Sequence, residues 1–173
     1  MRYLIVCGGK TDKEFGLNEI KTDGIDAIIA ADSGMDFLYE NGVTPDIIVG
    51  DFDSATTKAL EFFERKGQTE IHRLNPIKDD TDTEYAIRLA IREGARSIVM
   101  LGATGSRIDH VLGNISLLGI GLESGTDISI IDTNNRIRMA DKPVTIEKSA
   151  QYGRFVSLIA VTDDNEVSLR GFK

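Results

Sequence analysis

Between Met1 and about Gly125 the chain alternates two kinds of segment. Short, mostly aliphatic runs stand at Tyr3–Val6, Ala27–Ala31, Ile47–Val49, Ile71–Leu74 and Ile98–Leu101. None alternates cleanly between apolar and polar positions, which predicts strands covered on both faces. Between them lie amphipathic stretches with readable ends. Ser54 is placed to cap a helix through Ala59, Leu60, Phe62 and Phe63 that stops at Gly67. Thr81 and Glu84 have capping-box spacing, followed by apolar Ala86, Ile87, Ala90 and Ile91 and a stop at Gly94. Ile108, Val111, Leu112, Ile115, Leu118 and Leu122 recur at the three-to-four spacing of a long helix. Strand–helix alternation of this kind predicts right-handed crossovers and an α/β fold with a parallel sheet flanked by helices.

The pattern changes near Gly125. Apolar runs at Ile128–Ile131, Ile137–Met139, Val144–Ile146, Phe155–Val161 and Val167–Leu169 are separated by polar turns such as Thr133-Asn134-Asn135, with no helix-length segment among them. This predicts an antiparallel β domain over residues 125–173, following an α/β domain over 1–124. Its last strand signal runs almost into Lys173, so the expectation is a sheet incomplete at its C-terminus.

Composition narrows the chemistry. Of the 173 residues 41% are apolar and 28% charged, ordinary values for a globular protein. One cysteine, Cys7, permits no internal disulfide, and no apolar run reaches the roughly 20 residues that span a bilayer. Both point to the cytoplasm and to no membrane. A formal net charge of −8 argues against a nucleic-acid partner, whose backbone needs clustered Lys and Arg. An acidic chain that handles a polyphosphate must neutralise both partners, and a bound divalent cation such as Mg²⁺ does so.

Ligands of open parallel sheets bind beyond the carboxyl ends of the strands. The predicted strand ends deliver Cys7-Gly8-Gly9-Lys10, then Asp32-Ser33-Gly34, then Gly50-Asp51-Phe52-Asp53-Ser54, then Lys78-Asp79-Asp80-Thr81-Asp82, and lastly Gly102-Ala103-Thr104-Gly105-Ser106-Arg107-Ile108-Asp109-His110. Every one carries glycine, acid or both. Asp51 and Asp53 are two apart, so an extended backbone points both carboxylates to one side, as two hard donors for Mg²⁺. Asp32 and Asp82 on neighbouring strand ends strengthen that reading over turn-forming or capping aspartates, although Ser54 also reads simply as a cap. Gly8-Gly9-Lys10 lacks the spacing of a Walker loop and is either a backbone phosphate cradle or a plain strand-to-helix turn. Arg107 precedes a helix, where it either stabilises a transferring phosphoryl group or forms a surface ion pair. His110 beside Asp109 either orients substrate or bonds its neighbour. His72 reads as structural, and Cys7 as a buried apolar residue with no basic neighbour to activate it.

In order and spacing, Ala31-Asp32-Ser33-Gly34, Thr44-Pro45-Asp46 with Gly50-Asp51-Phe52-Asp53-Ser54, Asp79-Asp80-Thr81-Asp82 and Gly105-Ser106-Arg107-Ile108-Asp109-His110 resemble the thiamine pyrophosphokinase (thiamin diphosphokinase) family. The resemblance runs from Met1 to about Asn114, and the later β segment is similar in character. It implies a Rossmann-like nucleotide-binding domain, a β-sandwich domain and a homodimer with thiamine near the subunit interface. It implies a reaction in which ATP and thiamine give AMP and thiamine diphosphate. Carried onto this chain, it makes Asp51, Asp53 and Asp82 the Mg²⁺ and polyphosphate site, with Asp32, Ser33, Gly34, Ser54 and Asp79 near it. Thr81, Arg107, Asp109 and His110 would help to hold ATP, with Thr104 among the nucleotide-binding residues and Gly8, Gly9, Gly102 and Gly105 along the phosphate path. Arg107 would act with the three aspartates in catalysis. Related proteins continue past the part resembling Leu169-Arg170-Gly171-Phe172-Lys173 into strands with a Ser-Asn-containing thiamine contact, which no segment here matches.

Two other classes fit the residues: a pyrophosphokinase for another alcohol such as a hydroxymethylpterin, and a noncatalytic nucleotide-binding module. Acceptor-dependent AMP release separates the first; ATP·Mg²⁺ binding without turnover identifies the second.

Overall fold

The structure, a computed structural model, describes residues 1–52, 56–75, 80–105 and 107–171. Its centre is a seven-stranded sheet in the order β4-β3-β2-β1-β5-β6-β7. The strands are β1 (Arg2–Val6), β2 (Ala27–Ala31), β3 (Ile47–Gly50), β4 (Glu70–Arg73), β5 (Ser97–Leu101), β6 (Asp127–Ile131) and β7 (Arg136–Arg138). Five helices connect them: α1 (Lys13–Ile20), α2 (Gly34–Glu40), α3 (Thr57–Lys66), α4 (Asp82–Arg92) and α5 (Ile108–Ser124). All pairings from β4 to β6 are parallel, and β7 alone runs antiparallel, against β6. The register is nearly level: Val6 lies beside both Ala30 and Leu101, and Ala31 beside Val49. The loops that follow these strands therefore leave along one rim.

The aliphatic strands do not alternate because both faces are covered. Tyr3, Ile5, Ile29, Ile98, Met100 and Ile128 point to one face, under Ala86, Ile87 and Ala90 of α4 and Leu118 of α5. Leu4, Val6, Ala30, Ile48, Val99 and Leu101 point to the other, under Met35 and Leu38 of α2 and Ala59 and Phe63 of α3. Helix α4 lies across β1, β2 and β3, carrying the chain from one edge of the sheet back past its centre to β5. Phe63 and Ile87 are fully buried, and each such side chain contributes roughly 1.5–3 kcal/mol by leaving water.

Helix ends differ in detail from the sequence expectation. The Thr81 hydroxyl accepts from the Glu84 N–H (3.1 Å), but the Glu84 carboxylate turns to Arg88 (2.7 and 2.9 Å), so half of a capping box forms. An ion pair one turn along competes for that carboxylate. Ser54, the expected cap of α3, lies outside the described residues; the cap position is Thr56, whose N–H and hydroxyl both donate to Asp36. The expected stop of α3 is Gly67, and it is met in the left-handed region at φ 62°.

The expected antiparallel domain is corrected at its start. β6 extends the parallel sheet beside β5. The short apolar run itself suits either pairing direction, and α5, lying between β5 and β6, supplies the crossover of a parallel pair. β7 returns through the Asp132–Asn135 turn. Beyond it the structure holds one short 3₁₀ turn, Lys148–Ala150, and no strand among the described residues. The runs at Val144–Ile146, Phe155–Val161 and Val167–Leu169 are not strands here, and Phe155 and Ile159 are more than four-fifths exposed. The α5 stripe is also shorter than predicted, since Ile108 and Leu112 face solvent while Leu118 is buried. Among the described residues no helix is long and apolar enough to cross a membrane.

Candidate functional site

Three aspartates from three connections meet at the rim. Asp32 follows β2, Asp51 follows β3, and Asp82 opens α4. One carboxylate oxygen from each lies within 4.8 Å of the other two, and all three side chains are half-buried. The backbone that brings them together is strained. Asp32 has φ 48° and Phe52 has φ 64°, a conformation uncommon for Asp and a genuine outlier for Phe. Gly50 permits the approach, because a Cβ there would meet the Asp32 Cα and the Phe52 ring at 3.1 Å. Beyond the loop, Asp36 of α2 grips Thr56 and so fixes its far end.

This donor set fits a divalent cation. Opposed oxygens on Mg²⁺ stand about 4.2 Å apart, and Mg²⁺ characteristically takes a few carboxylates and leaves its other positions to water and phosphate. Three carboxylates so close suit a cation placed among them. Asp53 and Asp79, expected at the same place, lie outside the described residues, as does Ser106.

Next along the rim, the loops after β1 and β5 diverge, one towards β2 and the other towards β6. This is a topological switch point. The loops touch backbone to backbone. The Gly9 N–H donates to the Gly102 carbonyl (2.9 Å), and a Cβ on Gly9 would lie 2.2 Å from that oxygen. Gly105 packs on the Gly9 Cα, while a Cβ on Gly8 would strike the Ser33 hydroxyl at 2.1 Å. Gly8, Gly9, Ser33, Gly102 and Gly105 thus form one floor. Beside it opens a cleft of about 410 Å³ whose walls include Lys10, Thr11, Phe15, Thr104, Asp132 and Asn134.

The remaining expected residues sit apart from these contacts. Thr81 caps α4. Arg107, at the start of α5, pairs with Asp109 (2.6 Å), and both are about two-thirds exposed. The bond from Arg107, helped by the His110 N–H, holds the Asp109 carboxyl below its usual range. The alternative of a surface ion pair for Arg107 is therefore the arrangement seen. His72 is tied to Tyr85 and Glu70 within the fold (3.1 and 2.5 Å). Cys7 is buried, with the Thr83 hydroxyl near its sulfur (3.8 Å), and burial pushes its thiol up to about 12. It is no nucleophile at neutral pH.

Sequence reasoning did not single out Asp36, Phe52, Lys10, Thr11, Asp132 or Asn134 as site residues. The strand-end rule that found the others also finds Asp132–Asn134, provided β6 is recognised as parallel.

The sequence matches the family described as "Thiamin pyrophosphokinase, catalytic domain" over residues 21–130. It is 36% identical over 147 residues to a thiamine pyrophosphokinase of Bacillus subtilis (strain 168), covering 84% of this chain and 68% of that one. A second relative, thiamine pyrophosphokinase 1 of Oryza sativa subsp. japonica, is 35% identical over 80 residues, 43% of this chain and 30% of that one. The fold superimposes on the crystal structure of thiamine pyrophosphokinase from Bacillus subtilis with a TM-score of 0.69 at 32% identity, over 80% of this chain and 64% of the other. The chain thus spans less than two thirds of the solved chain it resembles.

Proposed function

The chain belongs to the thiamin pyrophosphokinase family, and from that premise we propose that it transfers the diphosphate of ATP to the hydroxyl of thiamine, giving thiamine diphosphate and AMP. The observation that carries this reading is the meeting of Asp32, Asp51 and Asp82 beside a glycine floor at the switch point of a parallel sheet. Such a rim offers charge neutralisation and close backbone approach, which phosphoryl transfer needs more than covalent help.

In the reaction the thiamine hydroxyl oxygen forms a bond to the β-phosphorus, and the bond from that phosphorus to the α–β bridging oxygen breaks. The electron pair leaves with AMP. Asp51 and Asp82, with Asp53, are assigned to hold Mg²⁺, and Asp32 lies against them. When bound, Mg²⁺ withdraws charge from the phosphate oxygens. Gly8, Gly9, Gly102 and Gly105 let the polyphosphate lie against backbone N–H groups. Asp82 or Asp53 accepts the proton lost by the attacking hydroxyl. Arg107, released from Asp109, reaches the transferring group, and Ser33, Gly34, Ser54, Asp79, Thr81, Asp109 and His110 complete the nucleotide end. Residues 1–124 form the catalytic part. The β-rich part, 125–173, is assigned to thiamine binding and to a homodimer contact, a reading supported by the exposed Phe155 and Ile159. The enzyme works in the cytoplasm.

The test is thiamine- and Mg²⁺-dependent release of AMP, with a hydroxymethylpterin as competing acceptor. Turnover with the pterin alone would replace thiamine, and ATP·Mg²⁺ binding without turnover on either acceptor would leave a nucleotide-binding module.

A further inference from the structure

The cleft beyond the glycine floor is braced by Asp132. Asp132, at the end of β6, accepts five hydrogen bonds. Its Oδ1 takes the N–H groups of Asn134 and Asn135 (both 2.7 Å) and the Asn135 amide (3.0 Å). Its Oδ2 takes the Thr104 hydroxyl (2.8 Å) and again the Asn135 amide (3.1 Å). The Tyr152 hydroxyl donates to its backbone carbonyl. One side chain thus ties the β5–α5 loop to the β6–β7 turn, and Asn114 secures the same loop from α5 by donating to the Ala103 carbonyl (2.9 Å).

This arrangement fixes what Thr104 offers to the cleft. A threonine hydroxyl has one proton and two acceptor lone pairs. Thr104 has given its proton to Asp132, so towards the cleft it can only accept. A phosphate oxygen at neutral pH also only accepts and is therefore no partner for Thr104. A sugar hydroxyl is a suitable partner, because it donates. Position agrees with polarity. Thr104 follows β5 and the acid cluster begins after β2, two inter-strand steps away, or about 10 Å across the sheet. That is the scale of the span from a ribose hydroxyl to the outer phosphates of an extended nucleotide. The Phe15 ring in the same cleft gives an apolar wall for a base.

Building on the proposed use of ATP, we infer that Asp132 is a positioning residue for the ribose: by taking the Thr104 proton it presents that oxygen as the acceptor for a ribose hydroxyl. Asp132 itself, with both oxygens occupied, acts through Thr104.

The substitution Asp132→Asn provides the test. The asparagine oxygen keeps the two turn N–H groups, but its amide nitrogen donates to Thr104 and frees the threonine proton to point into the cleft. ATP, 2′-deoxy-ATP and 3′-deoxy-ATP are titrated with Mg²⁺ into the 173-residue chain and into Asp132→Asn, Thr104→Val and Thr104→Ser, with folding checked by circular dichroism. The unmodified chain is expected to bind ATP about tenfold more tightly than one of the deoxynucleotides, the worth of one well-placed hydrogen bond. Thr104→Val should erase that preference and leave the affinity for the deoxynucleotide within about twofold, and Asp132→Asn, in which the ribose hydroxyl must reverse its role and accept from Thr104, should reduce it to about threefold. Thr104→Ser should retain the preference. A purely structural role would weaken all three nucleotides together, and that result overturns the inference. So does an unmodified chain that binds all three equally, or an Asp132→Asn variant that keeps the full preference. Turnover of thiamine without a ribose preference sinks this inference alone; a preference without turnover sinks the proposed activity alone.

Discussion

The two flanks of the carboxyl rim are built from the same kind of loop and yet have opposite chemistry. On the β2–β3–β4 flank, Asp32, Asp51 and Asp82 gather negative charge on a strained backbone. On the β1–β5–β6 flank, glycines pack backbone to backbone, and Asp132 is saturated by hydrogen bonds from its own loops. A carboxylate crowded by its like invites a cation; one filled by N–H and O–H donors is already neutralised and serves as a brace. Placement on the rim therefore does not decide what an aspartate does. The company it keeps does.

The largest effect expected is on the acidic flank. Asp51→Asn should lower Mg²⁺-dependent AMP formation by roughly a hundredfold or more, as when a preorganised electrostatic partner is lost. The variant should also lose the upward shift in melting temperature that Mg²⁺ gives the parent. Activity near the parental level, or an undiminished Mg²⁺ shift in thermal melting, would remove Asp51 from the metal site.

Gly9→Ala probes the other flank. Its Cβ would lie 2.2 Å from the Gly102 carbonyl oxygen, so two loops must separate, at a cost of roughly 1–3 kcal/mol. The expected outcome is a lowered urea midpoint and weakened ATP binding, with Mg²⁺ affinity at the acid cluster little changed. Equal loss of both ligands would mean that the flanks are not independent.

How far the sequence reveals this contrast depends on what each residue needs from the rest of the fold. Strands β1, β2, β3 and β5 are legible because burial on both faces demands continuous aliphatic runs, whereas β4 is a mostly polar edge strand with no fully buried residue. The rim follows because parallel strands end together. Asp32, Asp51 and Asp82 are found by that rule without any side-chain geometry. Helices α1 and α2 are hard to delimit: α1 carries Gly16 and Asn18 in its interior and α2 is barely two turns long. The run Ile128–Ile131 is equally good for either pairing direction, and only its partner β5 makes it parallel. Grouping it with the later β segment hid Asp132, whose role depends on Thr104, far away in the chain. The strain at Phe52 has no local signature at all, since a phenylalanine does not announce a positive φ.

A smaller effect separates the two classes of carboxylate by titration. Burial raises the proton affinity of Asp132, but the bonds from Asn134, Thr104 and Asn135 outweigh it and leave the group below its usual value of 3.8. A depressed value means that the stabilising contribution is complete above the ordinary carboxylate range and is lost as pH falls through the lower, folded-state value. A ¹³C titration of the Asp132 carboxyl should therefore give a midpoint below 3.8, and Thr104→Val should move it upward. A midpoint above the ordinary range would mean that the brace is not formed in solution.

The smallest effect at neutral pH is expected at Cys7, where the two flanks join. Its N–H donates to the Leu101 carbonyl (2.8 Å), and its sulfur is buried against Thr83 at the start of α4. With the thiol pushed up to about 12 by burial, almost no thiolate exists at neutral pH, and alkylation must wait for a local opening of the rim around β1 and α4. Iodoacetamide should react slowly with the native chain and rapidly in denaturant, with Gly9→Ala reacting faster than the parent. The sign of the pH dependence follows from the raised value. Cys7 contributes no pH dependence to stability below the ordinary thiol value of 9.0, and stability falls as pH rises from there towards about 12, because the unfolded chain ionises first. Rapid native labelling at neutral pH would show that the packing around Cys7, between β1 and α4, is open at rest.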